Sequence, residues 1–172
     1  MTYFIVGVDP ASRKTGVALV RWPDCTIDSL HVLHSKEKSA GDRIVDLQQQ
    51  LDSLLLTTWR DRLSIVASII ERPDDAFGRN RHTTAFVLGR AFQALLTTLR
   101  QYTANKAFSC ECAPSESSAA LGLARNASKA TRIAAAKQYF AQPTAEGDDD
   151  AWDAAAACVR LIAILKEEHY AV

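Results

Sequence analysis

The 172-residue sequence has no excess of charge of either sign. Lys and Arg number 20, Asp and Glu number 20, and the pI is about 6.9. A global positive field of the kind that advertises a nucleic-acid partner is absent, so any such partner must be held by local patches. No apolar run reaches the ~18 residues of a membrane-spanning helix. Cysteine is scarce: Cys25, Cys110, Cys112 and Cys158. Their spacing fits no zinc pattern, and residues 110 and 112 of a strand share a face and do not easily bridge, so reduced thiols are expected. Repeats, low-complexity tracts and interior linkers are missing as well. The opening Met1-Thr2-Tyr3-Phe4-Ile5-Val6 has no basic stretch and soon reaches Asp9, so it reads as a strand rather than a signal peptide. A cytoplasmic protein is the expectation.

What remains is ordinary globular material, with 48% hydrophobic and 23% charged residues, which excludes a disordered or fibrous chain. One domain spanning residues 1–172 is expected. Apolar runs predict strands over 3–8, 15–21 and 25–34, joined by connections too short for parallel crossovers and therefore antiparallel. Ile44, Leu47, Leu51, Leu54 and Leu55 recur at three and four, predicting a helix over 41–58. A nearly all-apolar strand over 63–70 follows, ending on Glu71, and Pro73 blocks simple continuation. Residues 79–100 predict a long helix with apolar side chains on most sides and so covered on more than one side, either as a central core helix or with one side on the sheet and the other on a second subunit. A fifth strand at 107–112 precedes a Ser/Ala stretch. Two closing helices, 128–140 and 148–168, have Ser128 and Asp148 as N-caps. The order β-β-β-α-β-α-β-α-α predicts an α/β domain with a five-stranded mixed sheet flanked by helices, the first three strands antiparallel.

Four carboxylates stand where a core-building sequence would not put them. Asp9 ends the first strand, and Glu71 ends the most apolar one. Asp150 and Asp153 lie at i, i+3 in the first turn of the last helix and face the same way. Strand ends and helix starts are where α/β proteins present sites. Clustered carboxylates repel and need a counter-charge. A hard divalent cation with oxygen ligands supplies one, and two ions together suit phosphodiester hydrolysis. Trp152, between the two aspartates, is expected to anchor their helix on the sheet.

These residues resemble the RuvC-type Holliday junction resolvases. Ile5-Val6-Gly7-Val8-Asp9-Pro10-Ala11-Ser12-Arg13-Lys14-Thr15-Gly16 is similar to that family's opening strand and turn. Ile69-Ile70-Glu71 resembles its second acidic strand end, Leu88-Gly89-Arg90-Ala91 the middle of its long helix, and Asp150-Ala151-Trp152-Asp153-Ala154-Ala155 its closing helix. The resemblance runs in order over nearly the whole chain. It implies a ribonuclease H-like fold, a homodimer, and Mg²⁺-dependent nicking of two strands at a four-way DNA junction in recombination and repair, with Mn²⁺ as a substitute and two ions per site. It implies Asp9, Glu71, Asp150 and Asp153 as metal ligands and Lys129 as a basic residue near the scissile phosphate. Departures from the pattern are Ala11 in place of glycine, no Lys or Arg in residues 114–118, and no aromatic directly after Glu71, Phe77 lying further on.

Candidate DNA contacts are Arg13 and Lys14 at the first hairpin tip, Arg72, Arg79, Arg81 and His82 around the loop after Glu71, and Arg125, Lys129 and Arg132 around the start of the next-to-last helix. The alternative substrates for the same fold are other branched DNA, flaps or RNA–DNA hybrids. A non-catalytic scaffold would not need paired acids that repel phosphate. An actin-like or sugar-kinase ATPase would need a second lobe for which 172 residues leave no room, so no nucleotide cofactor is expected.

Overall fold

A computed structural model describes residues 3–60, 64–72, 82–104, 109–142 and 147–168. Strand β1 (Tyr3–Pro10) pairs antiparallel with β2 (Lys14–Trp22), and β2 antiparallel with β3 (Thr26–His34). Helix α1 (Ala40–Arg60) then crosses to β4 (Ser64–Glu71), which lies parallel to β1. Helix α2 (His82–Tyr102) leads to β5 (Ser109–Cys112), parallel to β4. Helices α3 (Pro114–Ala120), α4 (Lys129–Tyr139) and α5 (Asp149–Glu167) complete the chain. The sheet order is β3-β2-β1-β4-β5. The expected α/β class, the five strands and the antiparallel first three are all present.

Period-two alternation divides the sheet into two apolar faces. Phe4, Val6 and Val8 of β1 join Val17, Leu19, Ile65 and Ile70 under α1 and α2, where Leu47, Leu51, Leu55, Phe92, Leu95, Leu96 and Leu99 are buried. Ile5 of β1 joins Ala18, Val20, Ala67 and Ile69 on the opposite face, under α5. Trp152 is fully buried there, as its place between the two aspartates predicted.

Close approach sets the position of α5. A Cβ at Gly7 would run into the carbonyl oxygen of Ala154, and one at Gly16 into the carbonyl oxygen of Asp150. The two glycines let helix backbone rest directly on strand backbone. Both predicted caps are in place: the Ser128 side chain accepts from the Thr131 N–H, and the Asp148 side chain from the Asp150 N–H. The four cysteines are free. Burial pushes the thiols of Cys110 and Cys112 up to about 11 and 12.

One element went unpredicted. The Ser/Ala stretch after β5 contains α3, with Pro114 in its first turn and the Glu116 carboxylate accepting from the Ala113 N–H at 2.6 Å. This is half of a capping box.

Candidate active site

The register of β1 and β4 builds the site's floor. Val8 pairs with Ile70, so Asp9 and Glu71, the next residues on two parallel strands, end side by side. Alternation puts both on the α5 side of the sheet, because Val8 and Ile70 belong to the other face. Gly16, the partner of Asp9 on β2, takes the start of α5 against its bare Cα. That contact brings the first turn of α5, with Asp150 and Asp153, over the strand ends. A cleft of about 400 Å³ results, lined by Asp9, Pro10, Ala11, Glu71, Arg72, Pro114, Lys129, Arg132, Asp150 and Asp153.

Three acids from three elements converge in it. One carboxylate oxygen each from Asp9, Glu71 and Asp153 lies within 4.8 Å of the others. Glu71 and Asp153 are buried. Asp150 lines the same cleft but stands outside this triad. Its Oδ1 accepts from Lys129 Nζ at 2.7 Å, and its Oδ2 is 3.8 Å from Lys14 Nζ. The four-acid set expected from sequence thus resolves into a triad, two of its members buried and Asp9 half-buried, and one flanking carboxylate.

Two cations from α4 enter the cleft one helical turn apart. Lys129 Nζ lies 3.4 Å from Asp9, 2.7 Å from Asp150 and 3.4 Å from Asp153. Arg132 Nε and Nη2 donate to Oδ1 and Oδ2 of Asp153 at 3.1 and 2.9 Å, and Nη2 is 3.8 Å from Glu71. Even so, Oε2 of Glu71 is a buried oxygen with no hydrogen-bond partner among the described residues. Burial first, then the charge on Asp153, pushes the Asp9 carboxyl up to about 7 against the opposing pull of Lys129. Burial, then Asp153 and Asp9, pushes Glu71 up to about 8, with Arg132 and Lys129 pulling back. Burial works against the charge on Lys129, but its hydrogen bond to Asp150 and the charges of Asp9 and Asp153 outweigh it and raise its pKa.

An all-oxygen donor set, a triad within ligating distance and an orphaned buried carboxylate oxygen fit a hard divalent cation. Asp9, Glu71 and Asp153 would hold it, with Asp150 at the rim.

The remaining sequence candidates separate by position. Arg13 and Lys14 are exposed at the β1–β2 turn, and Lys14 Nζ bonds Asp148 at 3.0 Å. Arg125 is exposed before α4. Strand alternation predicts Arg72 on the face away from Glu71. It lines the cleft instead, because β4 ends at Glu71 and alternation with it; its guanidinium is 3.7 Å from Glu116. Arg79 and Arg81 lie outside the described residues, as does the side chain of His82. Arg132 is the residue that reading by neighbourhood misplaced. It sits not on the surface with Arg125 but inside the acid cluster. The one sequence signal was its i, i+3 spacing from Lys129.

No sequence-family model matches the chain, and no curated protein sequence does. Solved structures do. The chain is similar to Thermus thermophilus RuvC, with a TM-score of 0.69 and 17% identity, over 95% of this chain and 96% of that one. It is equally similar to T. thermophilus RuvC in complex with a Holliday junction substrate, with a TM-score of 0.70 and 17% identity over the same shares. The chain has the RuvC fold, a ribonuclease H-like arrangement, as the motif resemblance implied.

Proposed function

We propose that the chain is one nuclease domain over residues 1–172, a crossover junction endodeoxyribonuclease that cuts four-way DNA junctions by metal-dependent phosphodiester hydrolysis. The observation that carries this reading is the meeting of Asp9, Glu71 and Asp153 around an unpartnered buried oxygen, on a fold shared with a protein that binds a Holliday junction.

Asp9, Glu71 and Asp153 would hold Mg²⁺, or Mn²⁺ in its place, two ions per site, with Asp150 completing the shell. Bound there, a divalent metal would supply Lewis-acid activation of a water at neutral pH and charge stabilisation on the leaving oxygen. The protein's own part is positional. Strand ends β1 and β4 and the first turn of α5 hold the carboxylates on rigid elements. Lys129, 42% exposed on a flexible stem, exchanges its acid partners for the scissile phosphate as substrate arrives. Arg13, Lys14, Arg72 and Arg125, with Arg79, Arg81 and His82, meet the phosphate backbone, which needs only local patches. A homodimer supplies two clefts for two strands. Phe86, 64% exposed on α2 with the Arg90 guanidinium 5.7 Å from its ring centroid, supports a second copy on that face. Among the described residues no helix is long and apolar enough to cross a membrane. A cytoplasmic enzyme of a bacterium or phage, working on DNA without a nucleotide cofactor, fits this reading.

A second reading keeps the chemistry and changes the substrate to other branched DNA, flaps or RNA–DNA hybrids. It is favoured by the rim at α3, which offers Glu116 rather than a cation and engages Arg72 with it. A panel containing a synthetic four-way junction, a flap, a fork and a hybrid, each with Mg²⁺ or Mn²⁺, separates the two. Paired symmetric nicks in the junction, lost in Asp9→Asn and Glu71→Gln, are expected. Full activity in both variants would eliminate the assigned site.

A further inference from the structure

Arg132 and Lys129 enter the same cleft from the same helix, yet they are held differently. The Lys129 side chain is 42% exposed and carries a single amine. The Arg132 side chain is 10% exposed, and two of its nitrogens are spent on one carboxylate. To reach a phosphate, Arg132 would have to leave buried Asp153 without that partner, and breaking a buried pair is strongly unfavourable. A planar fork already matched to a carboxylate is also the geometry least ready to reorient. Arg132 is therefore a poor DNA contact and a good fixed charge.

The charges show what it is fixed for. Asp9, Glu71, Asp150 and Asp153 face Lys129 and Arg132. A guanidinium keeps its charge at any accessible pH. It stands against the Asp153 and Glu71 oxygens, at an edge of the triad where a divalent ion would bind.

We propose that Arg132 is the resident counter-cation of the cleft: it holds Asp153 and Glu71 together when no metal is present, and it opposes a divalent ion at those two ligands, so that it sets the site's metal affinity rather than contacting DNA. This rests on the divalent-ion reading of the cleft and not on which nucleic acid is cut. Arg132 is accordingly a positioning residue. Its removal has opposite consequences for the two states of the protein. The metal-free chain loses a partner for buried acids and becomes less stable. The metal-bound chain loses a like charge beside its ion and becomes relatively more stable.

The test uses the full chain without DNA, as wild type, Arg132→Met and Arg132→Lys. Free Mn²⁺ is counted by electron paramagnetic resonance at one fixed pH of about 8 for all three chains, because metal affinity depends on pH. Each variant is also melted with and without Mn²⁺. Arg132→Met should bind Mn²⁺ about tenfold more tightly than wild type. It should melt below wild type in chelator, and saturating Mn²⁺ should raise its melting temperature more than it raises that of wild type. Arg132→Lys keeps the charge and should stay within about threefold of wild-type Mn²⁺ affinity. Folding of Arg132→Met only when Mn²⁺ is supplied would also support the assignment.

Four results would overturn it: equal or weaker Mn²⁺ binding by Arg132→Met, a melting deficit identical with and without Mn²⁺, failure of Arg132→Met to fold under either condition, or an Arg132→Lys as tight as the methionine variant. Absence of Mn²⁺ binding in all three chains overturns it too. Junction cleavage is measured separately. A chain that cuts nothing, yet binds Mn²⁺ in this arginine-dependent way, loses the nuclease reading and keeps this one.

Discussion

On one face of the sheet, α5 lies so near β1 and β2 that carbonyls of Ala154 and Asp150 occupy the space a Cβ would need at Gly7 and Gly16. On the other face, α1 and α2 stand on Leu47, Leu51, Leu55, Phe92, Leu95, Leu96 and Leu99. Where α5 meets the sheet it buries Ala154, Ala155, Ala156, Ala157 and Cys158, beside larger residues such as Trp152, Leu161 and Ile162. Small residues fix backbone against backbone and leave little room for adjustment. Large aliphatic side chains bury more area per residue and absorb change by repacking. The carboxylates sit on the inflexible side, where a displacement of an ångström would undo a shared ligand set. The leucine side supplies stability and is remote from the chemistry.

The largest expected effect breaks this division if it is wrong. Glu71→Gln keeps the shape of the side chain and removes a charge repelled by Asp153 and Asp9. Cleavage of a four-way junction should fall by at least about a hundredfold, as for loss of a principal charge-stabilising group, while the metal-free melting temperature holds or rises. Leu51→Ala, fully buried on the other face, should do the reverse. It should cost about 2–5 kcal/mol of stability and leave the rate per folded molecule unchanged. Equal cleavage in the glutamine variant, or a crippled rate in the alanine one, would erase the contrast.

Gly16→Ala comes next. Its methyl would press on the Asp150 backbone, which belongs to a helix and cannot swing aside. A loss of about 1–3 kcal/mol is expected from overpacking, together with a lower cleavage rate because α5 must lift Asp150 away from Asp9. Denaturant melts and a junction assay on the same preparation check both. A stable, fully active variant would mean that the approach of α5 is not what positions the acids.

Sequence and structure agree where a signal is local and part where it is not. Asp9 and Glu71 are legible because a charge at the end of an apolar strand needs a partner, and Asp150 with Asp153 because helical spacing puts them on one face. Ser128 and Asp148 were legible as caps because a cap is written within four residues. Helix α3 was missed although Pro114 and Glu116 mark its start: a seven-residue helix is too short for periodicity to show. The burial of Arg132 was out of reach for a stronger reason. Its partners, Asp153 and Glu71, are 21 and 61 positions away in the chain, and nothing near Arg132 announces them. The division of the acids into a triad plus Asp150 was equally invisible, since it depends on where Lys14 and Lys129 reach.

A smaller effect separates the faces by pH. Asp9 and Glu71 are pushed up to about 7 and about 8 in the fold, whereas in the unfolded chain they titrate near their ordinary values. Between those limits the folded, metal-free protein binds more protons than the unfolded one, so its stability falls as pH rises. The contribution is fully present below the ordinary carboxylate range and is lost as pH passes through about 7 and 8. Melting temperatures in chelator should decline from about pH 5 to pH 9, and Mg²⁺ should flatten the decline by binding the ionised forms. The Leu51→Ala deficit, in a cluster whose buried members are all apolar, should stay constant across the range. A metal-free melting temperature that climbs over this interval would contradict the raised carboxyls.

The smallest effect tests what lies outside the leucine face. Gly89 is an exposed helical residue of α2 with nothing within 4 Å of the position its Cβ would take, the opposite of Gly16. In an isolated chain Gly89→Ala should be stabilising by about 0.5–1 kcal/mol, because alanine loses less backbone freedom in a helix. For a protein of this size that is a rise of roughly 1–4 °C in melting temperature. Phe86 and Arg90 flank the same stretch of helix, and Phe86 is exposed. If a second copy of the chain covers it, the added methyl meets the partner. The gain then shrinks or reverses at high protein concentration and returns on dilution. A concentration-independent rise would mean that α2 faces solvent and that the two clefts of a junction-cutting dimer must be brought together by another surface.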